Sequence, residues 1–463
     1  MDAVLLIDFG STFTKVTAVD AGEARLLGCA AARTTADTDV GEGLEAAMRD
    51  LAAMTGAVAY KRRLACSSAA GGLRMVVCGL VPDLTAKAAR MASMGAGAKV
   101  VRAFSFNLTE EDVREIDALA PDILLLTGGT DGGNDSCVLH NAAALLGASG
   151  DFPVVVAGNR TATGRIVGMF GEAGRAVYPC DNVMPALGAI NVGPARDRIR
   201  GVFLERIVRA KGLSRETALV DGIMMPTPAA VLTAVELLSR GHGDEPGIGE
   251  LVAVDLGGAT TDVYSVAAGL PQAAAVAFRG LPEPVAMRTV EGDLGMRFSA
   301  AGVVDSAGAG RVAELSGIPE ERVRVMAEAL SGDPDALPCD GESRALDFAL
   351  AALAVEAATV RHAGTMERVY TAAGPALVQT GKDLRDVGNL VMTGGALIHA
   401  GDPAALAAFA ACGEPFPQSL RPEAARVSVD GSYILSAMGL LAAYSPGVAL
   451  SIMKETLREP LIK

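Results

Sequence analysis

The sequence predicts an α/β fold made of two similar halves, with a smaller α/β unit inserted in the first. Two observations carry this reading. Val4–Thr17 (VLLIDFGSTFTKVT) and Leu251–Ser265 (LVAVDLGGATTDVYS) align on Asp8 and Asp255. Each has an apolar run, an Asp, an apolar residue and a Gly, then small or hydroxylated residues and a return to β-branched positions. Such a run is a buried strand, and the small residues are a tight turn into a second strand. Two copies in register imply an internal duplication. The second observation is a strand, Gly-rich loop, helix and strand between residues 105 and 180, which neither half needs for its own completion.

Taken in order, residues 1–31 read as three strands, around Val4–Asp8, Thr14–Val19 and Arg25–Ala31. Leu44, Ala47, Met48 and Leu51 lie on one face at helical spacing, which predicts a helix over Gly43–Met54. Arg63–Ser67 is a strand that ends in SSAAGG, Thr85–Ala96 a small-residue helix and Lys99–Phe104 another strand. In the inserted unit, Thr109 caps a helix over Glu110–Leu119. The apolar strand Ile123–Thr127, the loop GGTDGGND, a helix over Ser136–Leu146 and the strand Pro153–Ala157 follow. Helices are expected over 194–213, with Pro194 in the first turn, and over 226–240. Gly241–Gly249 is a loop. These boundaries give a first lobe of 1–104 and 181–249, an inserted subdomain of 105–180 and a second lobe of 250–463. Residues 280–385 read as a mostly helical outer subdomain, broken at Gly332–Gly341, and the chain ends in a helix over Ser432–Tyr444 and a loose tail over 454–463.

Composition narrows the functions. The chain has 463 residues, half of them apolar, which is ample for large cores. A net charge of −14 disfavours nucleic acid as a partner, since phosphate backbones need clustered Lys and Arg. Seven Cys without a C-x-x-C pair fit reduced thiols in a cytoplasmic protein. The four His show no zinc spacing, the N-terminus has no signal-like segment, and no apolar run is long enough to span a bilayer.

A turn of small residues leaves backbone N–H groups open to phosphate oxygens, because no Cβ blocks the approach. A carboxylate at the strand end can hold Mg²⁺ through water. Two facing turns would clamp the phosphates of one nucleotide. A single D-x-G turn is an ordinary hairpin, so the repetition carries the inference. The GGTDGGND loop admits a nucleotide or cobalamin reading, and equally that of a plain connection at a sheet's carboxyl edge.

IDFGSTFTKV and VDLGGATTDV resemble the two phosphate loops of the actin, DnaK-type chaperone and sugar-kinase ATPase superfamily. NLVMTGGALIHA (Asn389–Ala400) resembles its adenosine-binding strand, and MPALGAIN (Met184–Asn191) and SYILSAMGLLAAY (Ser432–Tyr444) resemble its hinge helices. The implied fold is a pair of duplicated ribonuclease-H-like (actin-like ATPase) lobes, with a hinge helix near 184–191. Four further segments, Leu64–Leu80, Asp122–Asp135, Asn182–Arg196 and Glu291–Arg297, resemble the MutL family associated with glutamate mutase, also called GlmL. That family is unrelated to the mismatch-repair protein of the same name. The resemblance implies a cytoplasmic, ATP-dependent reactivation factor, with the subunits of an adenosylcobalamin-dependent mutase as partners.

ATP and Mg²⁺ are the cofactors so implied. Asp8 and Asp255 would serve the metal, partly through water, and Asp262 would add a third catalytic carboxylate. Gly10, Ser11 and Thr12 would meet the β-phosphate, and Lys15 stands where actin-like members carry a phosphate-reaching Lys. Gly257, Gly258, Ala259 and Thr260 would cradle the β- and γ-phosphates, while Gly394 and Gly395 would pass under the adenosine. Two positions depart from the pattern. Met184 stands where relatives have a Glu or Gln that orients water, and a thioether cannot do so. Asp181, Asn182 or Asp262 could substitute, and a weak, slow ATPase is expected. Leu397 and Ile398 replace polar residues used against adenosine. The alternatives are a small-molecule kinase, which needs a carboxylate base near the first hinge, and an activator ATPase of a radical enzyme, which needs cysteines for a shared iron–sulfur cluster.

Overall fold

The computed structural model describes residues 1–457 apart from 11, 36–39, 69–72, 83–90, 93–97, 211–222, 272, 274, 372, 373 and 399. Most of the helix expected over Thr85–Ala96, the end of the one expected over 194–213, and tail residues 458–463 lie outside the described residues. The chain forms two compact units. One comprises Val4–Val16 and Ala30–Ala230, and the other Met1–Ala3, Thr17–Cys29 and Val231–Lys463.

The chain begins with β1 (Ala3–Phe9), β2 (Phe13–Asp20), β3 (Arg25–Arg33), helix α1 (Val40–Thr55) and β4 (Arg62–Ser67). An α/β layer follows, made of β5 (Leu73–Gly79), β6 (Ala98–Ser105), α2 (Glu110–Leu119), β7 (Ile123–Leu126), α3 (Ser136–Leu145), β8 (Val154–Val156), α4 (Arg160–Glu172) and β9 (Val177–Pro179). Then come α5 (Gly193–Ala210), β10 (Ile223–Pro226) and α6 (Thr227–Arg240). The first sheet has the order β10-β4-β1-β2-β3, with β1 and β10 both parallel to β4. All seven residues of β1 are buried, as its unbroken apolar run requires.

After the short hairpin β11 (Gly241–His242) and β12 (Glu245–Pro246), the second half repeats this plan. Its strands are β13 (Leu251–Leu256), β14 (Thr261–Val266), β15 (Val276–Arg279) and β16 (Ala286–Glu291). Helices α7 (Ala300–Ala307), α8 (Ala309–Ser316), α9 (Glu320–Gly332) and α10 (Gly341–His362) follow, then β17 (Thr365–Thr371), β18 (Gly374–Thr380) and β19 (Asn389–Thr393). The half closes with α11 (Gly395–Ile398), α12 (Pro403–Ala407), β20 (Arg426–Val429), α13 (Leu435–Ala442) and α14 (Pro446–Thr456). The sheet order β16-β14-β13-β19-β20 matches the first sheet strand for strand. The fourth strand is again parallel to both neighbours. The register repeats too, with Asp8 opposite Cys66 and Asp255 opposite Thr393. The fold is therefore the expected α/β pair of duplicated, ribonuclease-H-like halves.

Three local expectations are corrected. Met184–Asn191 is not a hinge helix: Gly188 lies at φ 79°, Ala186 and Ala189 close a tight turn, and helical structure resumes only at Gly193. Pro185 and the left-handed glycine explain this, since neither continues a helix. Residues 280–385 hold four helices between Ala300 and His362, broken at Gly308, at 317–319 and, as expected, before Gly341, but β16, β17 and β18 lie in the same stretch. Long-range pairing decides those strands: β16 with β14, and β17 with β18, which also pairs β15. The tail begins later than expected, because α14 runs to Thr456. The parallel sheet β6-β5-β7-β8-β9 also takes two strands, β5 and β6, from before residue 105.

Candidate functional site

Asp8 is the penultimate residue of β1 and only 3% exposed. The chain turns at once, and Gly10 is required there: a Cβ would lie 2.4 Å from the Phe13 carbonyl oxygen. The turn is tied from behind. Thr34, just past β3, donates its hydroxyl to the Gly10 carbonyl (3.0 Å) and its N–H to the Thr12 carbonyl (2.9 Å). Ser68 N–H reaches the Phe9 carbonyl at 3.0 Å. Across a planar trans peptide, C=O and N–H point in opposite directions, so tethered carbonyls turn the succeeding amides the other way. Ser11 lies outside the described residues.

Lys15 is a partly buried neighbour of Asp8, its Nζ 3.9 Å from Oδ2. On the other side, the Thr227 hydroxyl donates to Oδ1 at 2.6 Å. Cys66 lies behind the pair, fully buried. Burial pushes its thiol well above the usual range, and the Asp8 charge adds to the shift.

Asp255 is likewise the penultimate residue of its strand. The Gly257 N–H closes the turn on the Thr260 carbonyl at 2.9 Å. Three successive carbonyls are held from behind: Gly257 by Met296 N–H (3.1 Å), Gly258 by Arg297 N–H (2.8 Å) and Ala259 by the Ser299 hydroxyl (2.8 Å). The amides of Gly258, Ala259 and Thr260 therefore face the opposite side. No described residue accepts a backbone hydrogen bond from any of them. Three adjacent outward amides are the kind of donor set that can hold an anion. The motif EGDLGMR thus acquires a structural role as the support of this turn. Gly295 is needed for the close approach, since a Cβ there would sit 2.4 Å from the Ala259 carbonyl carbon. The Arg297 guanidinium anchors the support through a two-pronged pair with Asp347 (2.8 and 3.1 Å).

Asp255 Oδ1 accepts from the Tyr433 hydroxyl at 3.2 Å. Asp262, opposite Asp255 in the sheet, has different partners. Its Oδ1 takes Arg288 through Nε (2.6 Å) and Nη2 (2.5 Å), and its Oδ2 takes the Thr260 hydroxyl (3.2 Å). Burial works against the Arg288 charge, yet Asp262 beside it holds the guanidinium protonated even more firmly than usual. Asp262 therefore sits at the turn but is committed to a buried ion pair.

Gly394 lies at φ 98°, and a Cβ would meet the Leu256 carbonyl oxygen at 2.3 Å. Close packing on β13 demands this glycine. Gly395 opens α11, and Leu397 is wholly buried in the core, so its apolar character serves packing. Thr393 donates to Asp430 (3.2 Å), whose carboxylate also accepts the N–H groups of Ile434 and Leu435.

The candidates for orienting water near Met184 lie elsewhere. Asn182 is buried, and its Nδ2 donates to the Gly129 carbonyl and to Asp131 Oδ1, both at 2.9 Å. Its Oδ1 accepts Met184 N–H at 3.0 Å. Asp131 N–H in turn reaches the Pro185 carbonyl at 3.0 Å. The segment 181–185 therefore closes on the GGTDGGND loop. Asp181 is exposed and lines an open cavity of about 500 Å³ with Tyr178, Cys180 and Arg198. Thr227, like Tyr433, is a residue that the sequence did not single out. For Thr227 the available signal was a hydroxyl at the start of the helix predicted over 226–240, directly after the fifth strand.

Among the described residues, no group of three or more His, Cys, Asp or Glu could hold a metal ion. One carboxylate per turn suits an ion ligated mainly by phosphate and water, which is the habit of Mg²⁺. No helix of the described residues is long and apolar enough to cross a membrane.

A family model described as MutL protein matches residues 4–457. A curated relative, Protein MutL of Clostridium tetanomorphum, is 43% identical over 459 residues, covering 99% of each chain. Among solved structures, component A of Acidaminococcus fermentans (R)-2-hydroxyglutaryl-CoA dehydratase is 9% identical (98% of this chain, 99% of that one, TM-score 0.29). Xylulose kinase from Bifidobacterium adolescentis is 13% identical (100% and 94%, TM-score 0.32). Likeness at those scores says nothing about activity.

Proposed function

The chain belongs to the MutL protein family, and on that premise we propose that it is an ATP-binding accessory factor that hydrolyses ATP slowly for an adenosylcobalamin-dependent mutase. The observation that carries the nucleotide reading is the second turn, with its three outward amides beside Asp255. In this reading the amides of Gly258, Ala259 and Thr260 bind phosphate oxygens, and Gly10 and Thr12 belong to a phosphate-binding turn of the same kind. Asp8 and Asp255 hold metal-bound water, and Lys15 adds positive charge near Asp8. Bound Mg²⁺ would neutralise charge on the phosphates during transfer. Gly394 and Gly395 lie on the adenosine side. Asp262 keeps Thr260 in place rather than activating water. Of the three candidates for orienting water, Asn182 and Asp262 are committed elsewhere and Asp181 is exposed, which supports slow turnover.

Support for the mutase is family membership alone. The parallel layer around the GGTDGGND loop is the part we assign to client coupling. Two measurements test the reading. MgATP at a hundredfold excess over Kd should stabilise the chain by about 2.7 kcal/mol, and an unchanged melt overturns nucleotide binding. The protein with MgATP should restore a cobalamin-inactivated mutase. If MgATP binds but no such mutase responds, the accessory role falls while the nucleotide site stands.

A further inference from the structure

Each Asp–Gly turn receives a hydroxyl from the segment that follows the fifth strand of its own sheet. After β10, Thr227 Oγ1 reaches Asp8 Oδ1 at 2.6 Å. After β20, Tyr433 Oη reaches Asp255 Oδ1 at 3.2 Å. We propose that Thr227 and Tyr433 are positioning residues, each fixing through one oxygen the orientation in which its carboxylate meets metal-bound water. The proposal rests on the MgATP reading above.

The last torsion of an Asp side chain is broad and nearly two-fold, so an untethered carboxylate samples many orientations. A hydroxyl donating to a carboxylate oxygen restricts this freedom, strongly at the short Thr227 contact (2.6 Å) and more weakly at the longer Tyr433 contact (3.2 Å). At Asp8 both oxygens are engaged, Oδ1 by Thr227 and Oδ2 by the more distant Lys15. The two hydroxyls come from unlike residues on unlike backbones. Thr227 is the first residue of α6, whereas Tyr433 stands at φ 52° ahead of α13. A positive φ is unfavourable for a bulky side chain and persists only where the surroundings demand it. Different side chains that deliver the same group to the same atom at equivalent places point to the hydroxyl itself, and packing alone would not select for it.

The test uses the full chain and three variants. Thr227→Val keeps the shape and removes the hydroxyl, Thr227→Ser keeps the hydroxyl, and Tyr433→Phe removes only the phenol oxygen. The readout is the Mg²⁺ concentration giving half-maximal ATP turnover, with the melting temperature measured in parallel. Thr227→Val and Tyr433→Phe should each raise the Mg²⁺ requirement roughly tenfold, the scale of a hydrogen bond to a charged group. Thr227→Ser should stay close to the parent. A purely packing role would lower the melting temperature and leave the Mg²⁺ requirement unmoved, and that result overturns the proposal. Wild-type Mg²⁺ dependence in Tyr433→Phe overturns it even if Thr227→Val fails to fold. If the unmodified chain shows no response to MgATP, the underlying nucleotide reading is what fails.

Discussion

The two Asp–Gly turns share a backbone plan and differ in where their charges go. In both, the segment past the third strand holds the turn's carbonyls: Thr34 in the first, Met296 to Ser299 in the second. In the first turn a cation lies next to the strand-end Asp itself, as Lys15 beside Asp8. In the second the Arg288 cation pairs with the neighbouring Asp262, and the Tyr433 hydroxyl reaches Asp255. The amide geometry can be duplicated because it depends on the backbone. The cations are placed differently: Lys15 stands beside the strand-end Asp8, whereas Arg288 ties Asp262 within the second turn's own sheet.

The largest expected effect tests that difference. Arg288→Met leaves the largely buried Asp262 carboxylate without its cation, and urea denaturation should show a loss of about 3 kcal/mol. Lys15→Met should lose no more than about 1 kcal/mol, since its ion pair is long and partly solvated. Similar losses in both variants would erase the contrast. Next in size, Asp8→Asn and Asp255→Asn should each reduce ATP turnover by about a hundredfold with the fold intact. Near-normal turnover in either variant would remove that turn from the chemistry.

The smallest effect near neutrality is a pH dependence confined to the second half. Burial, with the nearby Lys382 charge second, lowers the His362 pKa from 6.5 to about 3. Its Nδ1 meets the Thr289 hydroxyl, whereas its buried Nε2 has no hydrogen-bond partner among the described residues. The unfolded chain takes up this proton first as pH falls. The contribution is therefore fully present above about 6.5 and is lost as pH falls toward 3. His362→Gln should flatten the melting-temperature profile over that window, and an unchanged slope would assign the acid sensitivity to other groups.

Much of the fold was legible because its signals are local. The apolar runs of β1 and β13, the cap at Thr109 and the glycines at the turns are each read within a few residues, and the capping box at Thr109 forms as expected. The motif at Met184–Asn191 resembles a helix of known relatives, while Pro185 and Gly188 give it a non-helical backbone. β16 escaped notice because a short, half-buried strand shows little pattern until its partner is known.

By itself, the sequence determined the duplication and the place of each Asp at a strand end. A buried strand and a small-residue turn are specified by neighbouring side chains. Only the tertiary structure decided what each carboxylate meets. Thr227 reaches Asp8 across 219 positions and Tyr433 reaches Asp255 across 178, while Arg288 claims Asp262 from an adjacent strand. Such pairings depend on sheet order and register, which place distant residues within hydrogen-bonding distance and leave no periodic trace in the chain.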